Sequence, residues 1–166
     1  MLARMLLMLS FVALAVSAAE EKAAKKTAAM KPMPVTVSAD EVKFGPAPPT
    51  LPKGAQLAVL FGDPGKKGAF AVRFKFPDGY VVPPHWHSND EQLTVLSGTF
   101  LMKMGDKWDA ATATSMGPGA FHFLPGKMHH SAGAKGETVL QLQSTGPFDI
   151  HYLNPADDPT KTAAAK

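Results

Sequence analysis

Gly79-Tyr-Val-Val-Pro-Pro-His85-Trp-His87-Ser-Asn-Asp-Glu91-Gln-Leu-Thr-Val-Leu-Ser-Gly98 is the stretch from which the rest of this 166-residue chain can be read. Its fixed points are G-x5-H-x-H-x3-E-x6-G. Residues two apart on an extended strand point to the same face. At about 3.3 Å of rise per residue, the roots of His85 and His87 stand roughly 6.6 Å apart. Both imidazoles can then reach one metal ion through bonds of about 2.1 Å. Glu91 adds a hard oxygen ligand four residues on. The competing reading, two surface histidines on a loop, leaves the bracketing glycines and the glutamate unexplained.

The pattern resembles the first signature motif of the cupin superfamily and matches it at all five fixed positions. The resemblance is tight from Gly79 to His130 and looser over the rest of the domain. It implies a single all-β domain, the double-stranded β-helix or jelly-roll barrel, with a metal held inside. The superfamily's second motif, G-x5-P-x-G-x2-H-x3-N, has a partial counterpart here. Gly119 and Pro125 keep their spacing, and the histidine five after the proline is His130. The motif's inner glycine falls on Lys127, with a glycine one residue earlier at Gly126, and its closing asparagine falls on Ala134. The register is therefore open by one residue. His129 and His130 face opposite ways on a strand, so one of them points inward. The count from Pro125 favours His130, with His129 as the alternative. The resemblance thus implies a divalent metal ion (Fe, Mn, Ni, Cu or Zn) held by His85, His87, Glu91 and His130.

The surrounding chain reads as short strands separated by Gly/Pro turns, with almost no helical period. Gln56-Leu-Ala-Val-Leu-Phe61 is apolar and of strand length. Residues 69–76 alternate cleanly and put Phe70, Val72, Phe74 and Phe76 on one face, as core or as an aromatic wall for a ligand. Residues 91–96 and 99–104 read as two strands joined by a tight turn at Ser97-Gly98. Residues 108–115 read either as a helical turn or as a loop across one mouth of the fold. Further strands are expected at 120–124, 128–132, 138–143 and 149–153, with Leu140 and Leu142 on the core face. Trp86 alternates away from the histidines beside it and should pack outside, and His151 reads as structural. The H-x-H unit does not recur in the sequence, which argues for one barrel rather than two.

The ends read differently. Arg4, an apolar run over residues 5–16 and Ser17-Ala18-Ala19 describe a secretory signal peptide cleaved after Ala18 or Ala19, too short to span a membrane. Residues 20–34 read as a disordered Lys/Ala-rich linker, 35–158 as the cupin domain and 159–166 as a disordered tail. The expected destination is outside the cytoplasm, in a bacterial periplasm, with no membrane association of the mature form. There is no cysteine, so thiolate ligands and disulfides are excluded. The formal charge of +3 arises mainly from lysines, several of them in the linker and tail, and only two arginines occur, Arg4 and Arg73. A nucleic-acid surface concentrates such residues on a folded face, so no nucleic-acid partner is expected.

Two functions fit. One is a metal-dependent enzyme of dioxygenase or isomerase type acting on a small organic molecule. The other is a non-catalytic module that holds a metal or small ligand. An inward-facing acid or base besides the four ligands would separate them, and His122, Tyr80 and Asp109 are the candidates. Cupins commonly pair through exposed sheet edges, which is compatible with a homodimer.

Overall fold

The structure is a computed structural model that describes residues 33–163. The chain divides into two units, Met1–Val35 and Thr36–Lys166, and every strand among the described residues belongs to the second. The expected signal peptide and nearly all of the expected linker lie outside the described residues. Among the described residues no helix is long and apolar enough to cross a membrane.

The fold is an antiparallel jelly roll of nine strands: β1 Gly45–Pro46, β2 Gln56–Phe61, β3 Gly68–Phe76, β4 Val81–Trp86, β5 Glu91–Met104, β6 Thr114–Met116, β7 Phe121–Leu124, β8 His130–Gly146 and β9 His151–Tyr152. The order β1-β2-β3-β8-β4-β9 forms one path, and β5 adds β6, β7 and β8 as neighbours. β8 is the spine. Its second half pairs with β3, from Phe76↔Thr138 to Gly68↔Gly146. Its first half pairs with β4 through Val81↔Gly133, Val82↔Ala132 and His85↔His130. Its other edge runs along β5 from Gln92↔Gln143 to Met104↔His130. Seventeen extended residues would span about 55 Å if straight, longer than a domain of this size, so β8 and β5 must bend together.

They bend where a tight turn is expected from Ser97-Gly98. No turn forms there. Residues 91–104 are a single strand with register shifts on either side of Ser97. Gly98 has φ +77, and a Cβ on it would lie 2.3 Å from the carbonyl oxygen of Glu137. The two backbones touch at this β-bulge, which kinks the ladder without ending it. Thr138, fully buried on the β8 side, ties the corner by bonding both the N–H and the carbonyl of Thr99 at 3.1 Å.

Phe70, Val72 and Phe76 are buried and Phe74 packs half-buried against the same core, as the alternation of β3 predicts. Leu140 and Leu142 join them from β8. Other expectations shift. The strand expected over residues 128–132 starts at His130 and runs unbroken through the one expected over 138–143, because β5 offers partners on both sides of the bulge. The strand expected over residues 149–153 shrinks to β9. Trp108 lies against Gly133 of β8, and the loop after it is held by Asp109, which accepts from Ala111 N and Thr112 Oγ1 at 2.9 Å. The tail begins as a short helix, Pro159–Ala163, where disorder is expected, with Asp158 accepting from Thr160 N at 3.0 Å in the manner of a cap.

Candidate metal centre

Three strands deliver the polar cluster. Alternation from Val82 would turn Pro84 inward. Instead β4 advances three residues from Val82 to His85 while β8 retreats two, from Ala132 to His130. The extra residue at Pro83-Pro84 reverses the facing, and His85 points in. Proline is tolerated at a bulge because its missing N–H is not needed there. His87 follows just past the strand end, Glu91 opens β5 opposite Leu124, and His130 opens β8. All four are buried, with relative exposures of 3, 7, 6 and 1% for His85, His87, Glu91 and His130.

The facing of the His129–His130 pair is decided by the turn before it. Lys127 sits at φ +66, the left-handed conformation that favours glycine, and occupies the position at which the motif has glycine. Its N–H donates to the carbonyl of His87 at 2.7 Å. Gly126, one residue earlier, is needed for a different reason: a Cβ there would lie 2.7 Å from the Ser88 carbonyl. With the turn in this register His130 enters the barrel. His129 turns outward and bonds Asp106 through Nδ1 at 2.7 Å.

The nitrogen atoms offered by His85, His87 and His130 all lie within 4.8 Å of one another. Glu91 Oε2 is 3.5 Å from His87 Nε2 and 3.4 Å from His130 Nε2. Two ligand atoms each about 2.1 Å from one ion, at a tetrahedral angle, stand roughly 3.4 Å apart. Each imidazole is also held from behind. Nδ1 of His85 meets the Pro83 carbonyl at 2.6 Å, that of His87 the Asp149 carbonyl at 2.5 Å, and that of His130 the Met128 carbonyl at 3.1 Å. A carbonyl only accepts, so each Nδ1 carries the proton and each Nε2 presents a lone pair. Glu91 Oε2 is buried without a hydrogen-bond partner. Three acceptor nitrogens and an orphaned carboxylate oxygen facing one point suit a cation.

The electrostatics agree. Burial, and then the neighbouring His130 and His87, hold His85 well below the ordinary histidine value. Burial likewise lowers His87, against the opposing pull of Glu91. Burial acts to raise the Glu91 carboxyl, but attraction to His130 and His87 outweighs it and holds the group below its ordinary value. Burial thus favours the neutral imidazole at His85 and His87, and Glu91 is held as the carboxylate.

Two residues without a sequence motif complete the surroundings. Asp149 lends its carbonyl to His87 while its carboxylate takes Ser88 N, Ser88 Oγ and His151 Nε2 at 2.7, 2.6 and 2.9 Å. Phe148 stacks on the His87 ring at 4.4 Å and 23°. Trp86 faces away from the cluster and stacks on His151 at 4.0 Å, which gives His151 the structural role expected of it. Of the three candidate acids and bases, Tyr80 donates to the Pro52 carbonyl at 2.7 Å and Asp109 sits in its exposed turn. His122 faces the same side as Leu93 across the β5–β7 ladder, and its Nε2 is buried without a partner. Burial lowers the pKa of His122, and the Glu91 carboxylate acts in the opposite sense.

A cavity of about 310 Å³ opens beside the cluster and is lined by the aromatic face of β3. The four residues of that face are therefore core and cavity wall at once.

A family model described as the ChrR Cupin-like domain matches residues 32–149. Among curated proteins none matches the chain. Similar solved structures include the polyketide cyclase RemF from Streptomyces resistomycificus, 20% identical, with 80% of this chain and 94% of that chain covered and a TM-score of 0.62. A proposed acetylacetone dioxygenase from Methylibium petroleiphilum PM1 is 18% identical, with 78% and 87% covered and a TM-score of 0.59. KdgF from a Halomonas species is 24% identical, with 66% and 91% covered and a TM-score of 0.51. At these identities the likeness shows the shared fold.

Proposed function

The chain belongs to the ChrR cupin-like family, and from that membership we propose that it is a metal-dependent cupin acting on a small organic molecule inside its barrel. The ion would be held by Nε2 of His85, His87 and His130 and by a carboxylate oxygen of Glu91. One observation carries this reading: three Nδ1 protons are committed to backbone carbonyls, so three lone pairs and the unpartnered Glu91 oxygen are left for a shared cation. A bound Fe, Mn, Ni, Cu or Zn ion would supply Lewis acidity, and a redox-active one also electron transfer. The residues of this chain do the rest. The carbonyls of Pro83, Asp149 and Met128 fix ring tautomer and orientation, Phe148 braces His87, and the apolar walls keep water from the bound molecule. His122, the remaining candidate acid or base, has its Nε2 buried without a partner, but it does not line the cavity and is given no contact with the bound molecule.

The reaction class we propose is that of a dioxygenase, cyclase or isomerase. Names among the structural neighbours, a cyclase of polyketides and a dioxygenase of acetylacetone, are compatible with it. A second reading, a non-catalytic binding module, is favoured by the commitment of Tyr80 and Asp109 to structural bonds. Metal analysis of the purified protein, followed by oxygen uptake and substrate loss with catechols, diketones and flavonols, separates the two. Stoichiometric metal with turnover supports the enzyme, and a redox-inert ion without turnover supports the binding module. A protein that takes up no divalent metal at neutral pH sinks both. Export by residues 1–19 is part of the same proposal, and the mass of the secreted protein tests it: a mature N-terminus at Ala19 or Glu20 is expected, and the full-length mass would refute it.

A further inference from the structure

The cavity has two chemically unlike ends. Around the metal cluster its polar side chains are His85, His87, Glu91 and His130. The remaining wall is hydrocarbon, built from Phe70, Val72, Phe74 and Phe76 of β3 with Leu140 and Leu142 of β8. Pro48, Leu51 and Ile150 continue the apolar lining. The two other polar residues there are Thr50 and Asp149, and the Asp149 carboxylate is already taken by Ser88 and His151. Among the described residues no Lys, Arg, Asn or Gln lines the cavity. A hydroxyl or amide of a ligand pressed against such walls would lose its hydrogen bonds to water and gain none. An anion away from the metal end would be buried without a counter-ion, because the charged residue of the lining there, Asp149, is itself an anion.

We propose that the molecule bound here is amphiphilic: one compact oxygen-bearing head, able to chelate the ion, on an otherwise apolar and uncharged body of at most about two fused rings. The size follows from the volume. A dry apolar cavity of about 150 Å³ accepts one benzene, and the cavity here holds about 310 Å³. The shape follows from the aromatic side. Phe148 stacks on His87 and meets Phe70 edge-on at 5.5 Å, so a flat conjugated body has ring faces and edges beside it at the metal end. Sugars, nucleotides, amino acids and polycarboxylates are excluded by the same walls. The head rests on the proposed metal centre, and the body rests on the cavity alone.

The test uses zinc-loaded and metal-free protein in calorimetric titrations. Three probes share a catechol head: 2,3-dihydroxynaphthalene, catechol itself, and 3,4-dihydroxybenzenesulfonate with its anionic group. Affinity for the zinc-loaded protein is expected to fall at least tenfold at each step in that order. 3,4-Dihydroxybenzenesulfonate binding as tightly as dihydroxynaphthalene overturns the proposal, even if zinc itself binds. Naphthalene, which has no chelating oxygen, is expected to bind the metal-free protein, and failure to bind likewise overturns the proposal. If zinc does not bind while naphthalene does, the metal-centre reading fails and the apolar-body assignment stands. Leu57→Trp adds bulk from a half-buried wall position and is expected to keep zinc while weakening naphthalene at least tenfold. Unchanged naphthalene affinity in Leu57→Trp would place the molecule elsewhere. Should that variant not fold, Leu57→Gln serves with the same two outcomes.

Discussion

The backbone carbonyl of Asp149 accepts the Nδ1 proton of His87 at 2.5 Å, across 62 residues of sequence. The Asp149 side chain meanwhile holds the loop in place through Ser88 and His151. One residue therefore orients a metal-facing ring with its main chain and anchors itself with its carboxylate. Asp149→Ala keeps the carbonyl but frees the segment. Metal affinity is expected to fall about 10- to 100-fold, the usual cost of losing a partner behind a ligand. Asp149→Asn retains an acceptor for Ser88 and should lose less than tenfold. A zinc competition titration measures both, and unchanged affinity in the alanine variant would show that the carboxylate anchors nothing that matters to the site.

The two adjacent histidines should behave oppositely. His130→Ala is expected to abolish metal uptake and, with it, the rise in thermal midpoint on adding metal. A ligand present at 100 times its Kd stabilises the native state by about 2.7 kcal/mol. His129→Ala, whose side chain is bonded outside to Asp106, should keep both. Thermal melts with and without zinc decide it, and loss of the zinc effect in His129→Ala alone would reverse the assignment.

Acid should weaken the metal-free protein. His85 and His87 have folded-state pKa values below the ordinary 6.5, chiefly because they are buried. A depressed histidine takes its proton in the unfolded chain first. Stability is therefore level above about pH 6.5 and falls as pH drops below it, by up to about 1.4 kcal/mol per histidine per pH unit. Burial would raise the Asp149 carboxyl, but Ser88 and His151 hold it down to about 2, so it stays ionised over this range and is not the cause. Melts in chelator between pH 8 and pH 5 measure the slope. A midpoint that does not move below pH 6.5 would contradict the buried neutral pair.

Gly98 is expected to be the least tolerant glycine of the corner. An alanine there meets both an unfavourable φ and the β8 backbone, with Glu137 O at 2.3 Å and Thr138 Oγ1 at 2.5 Å from the new Cβ. Gly98→Ala should cost about 2–4 kcal/mol in urea unfolding. Gly105→Ala shares the positive φ but has open space, and should cost roughly 1 kcal/mol. Equal costs would mean that the close approach of the strands is not what demands glycine.

Lys127 offers a gain. It holds the left-handed conformation that glycine adopts without strain. Lys127→Gly is expected to raise stability by up to about 1 kcal/mol, the relief of strain being partly offset by the freer unfolded chain. Metal affinity should not change, because the N–H that bonds the His87 carbonyl remains. A less stable variant would show that the lysine side chain contributes more than its backbone costs.

What the sequence determined by itself is local and periodic. Alternation along β3 marks Phe70, Val72, Phe74 and Phe76 as one face, because a strand repeats every two residues whatever it packs against. The spacing of His85, His87 and Glu91 is readable for a similar reason, since all three lie within seven residues, from the end of β4 through the turn to the first residue of β5. Counting from Pro125 picks His130 over His129. The tertiary structure decided the rest, because it depends on contacts between distant segments. Whether Ser97-Gly98 turns or bulges depends on Glu137 and Thr138 of β8. The inward aim of His85 depends on the register of Pro83-Pro84 against β8. The clamp of Asp149 on His87, and the 310 Å³ enclosed by residues of β2, β3, β4, β5 and β8, exist only once the sheet has wrapped. No local pattern encodes them, since hydrogen bonds and voids between remote strands are fixed by how the whole barrel closes.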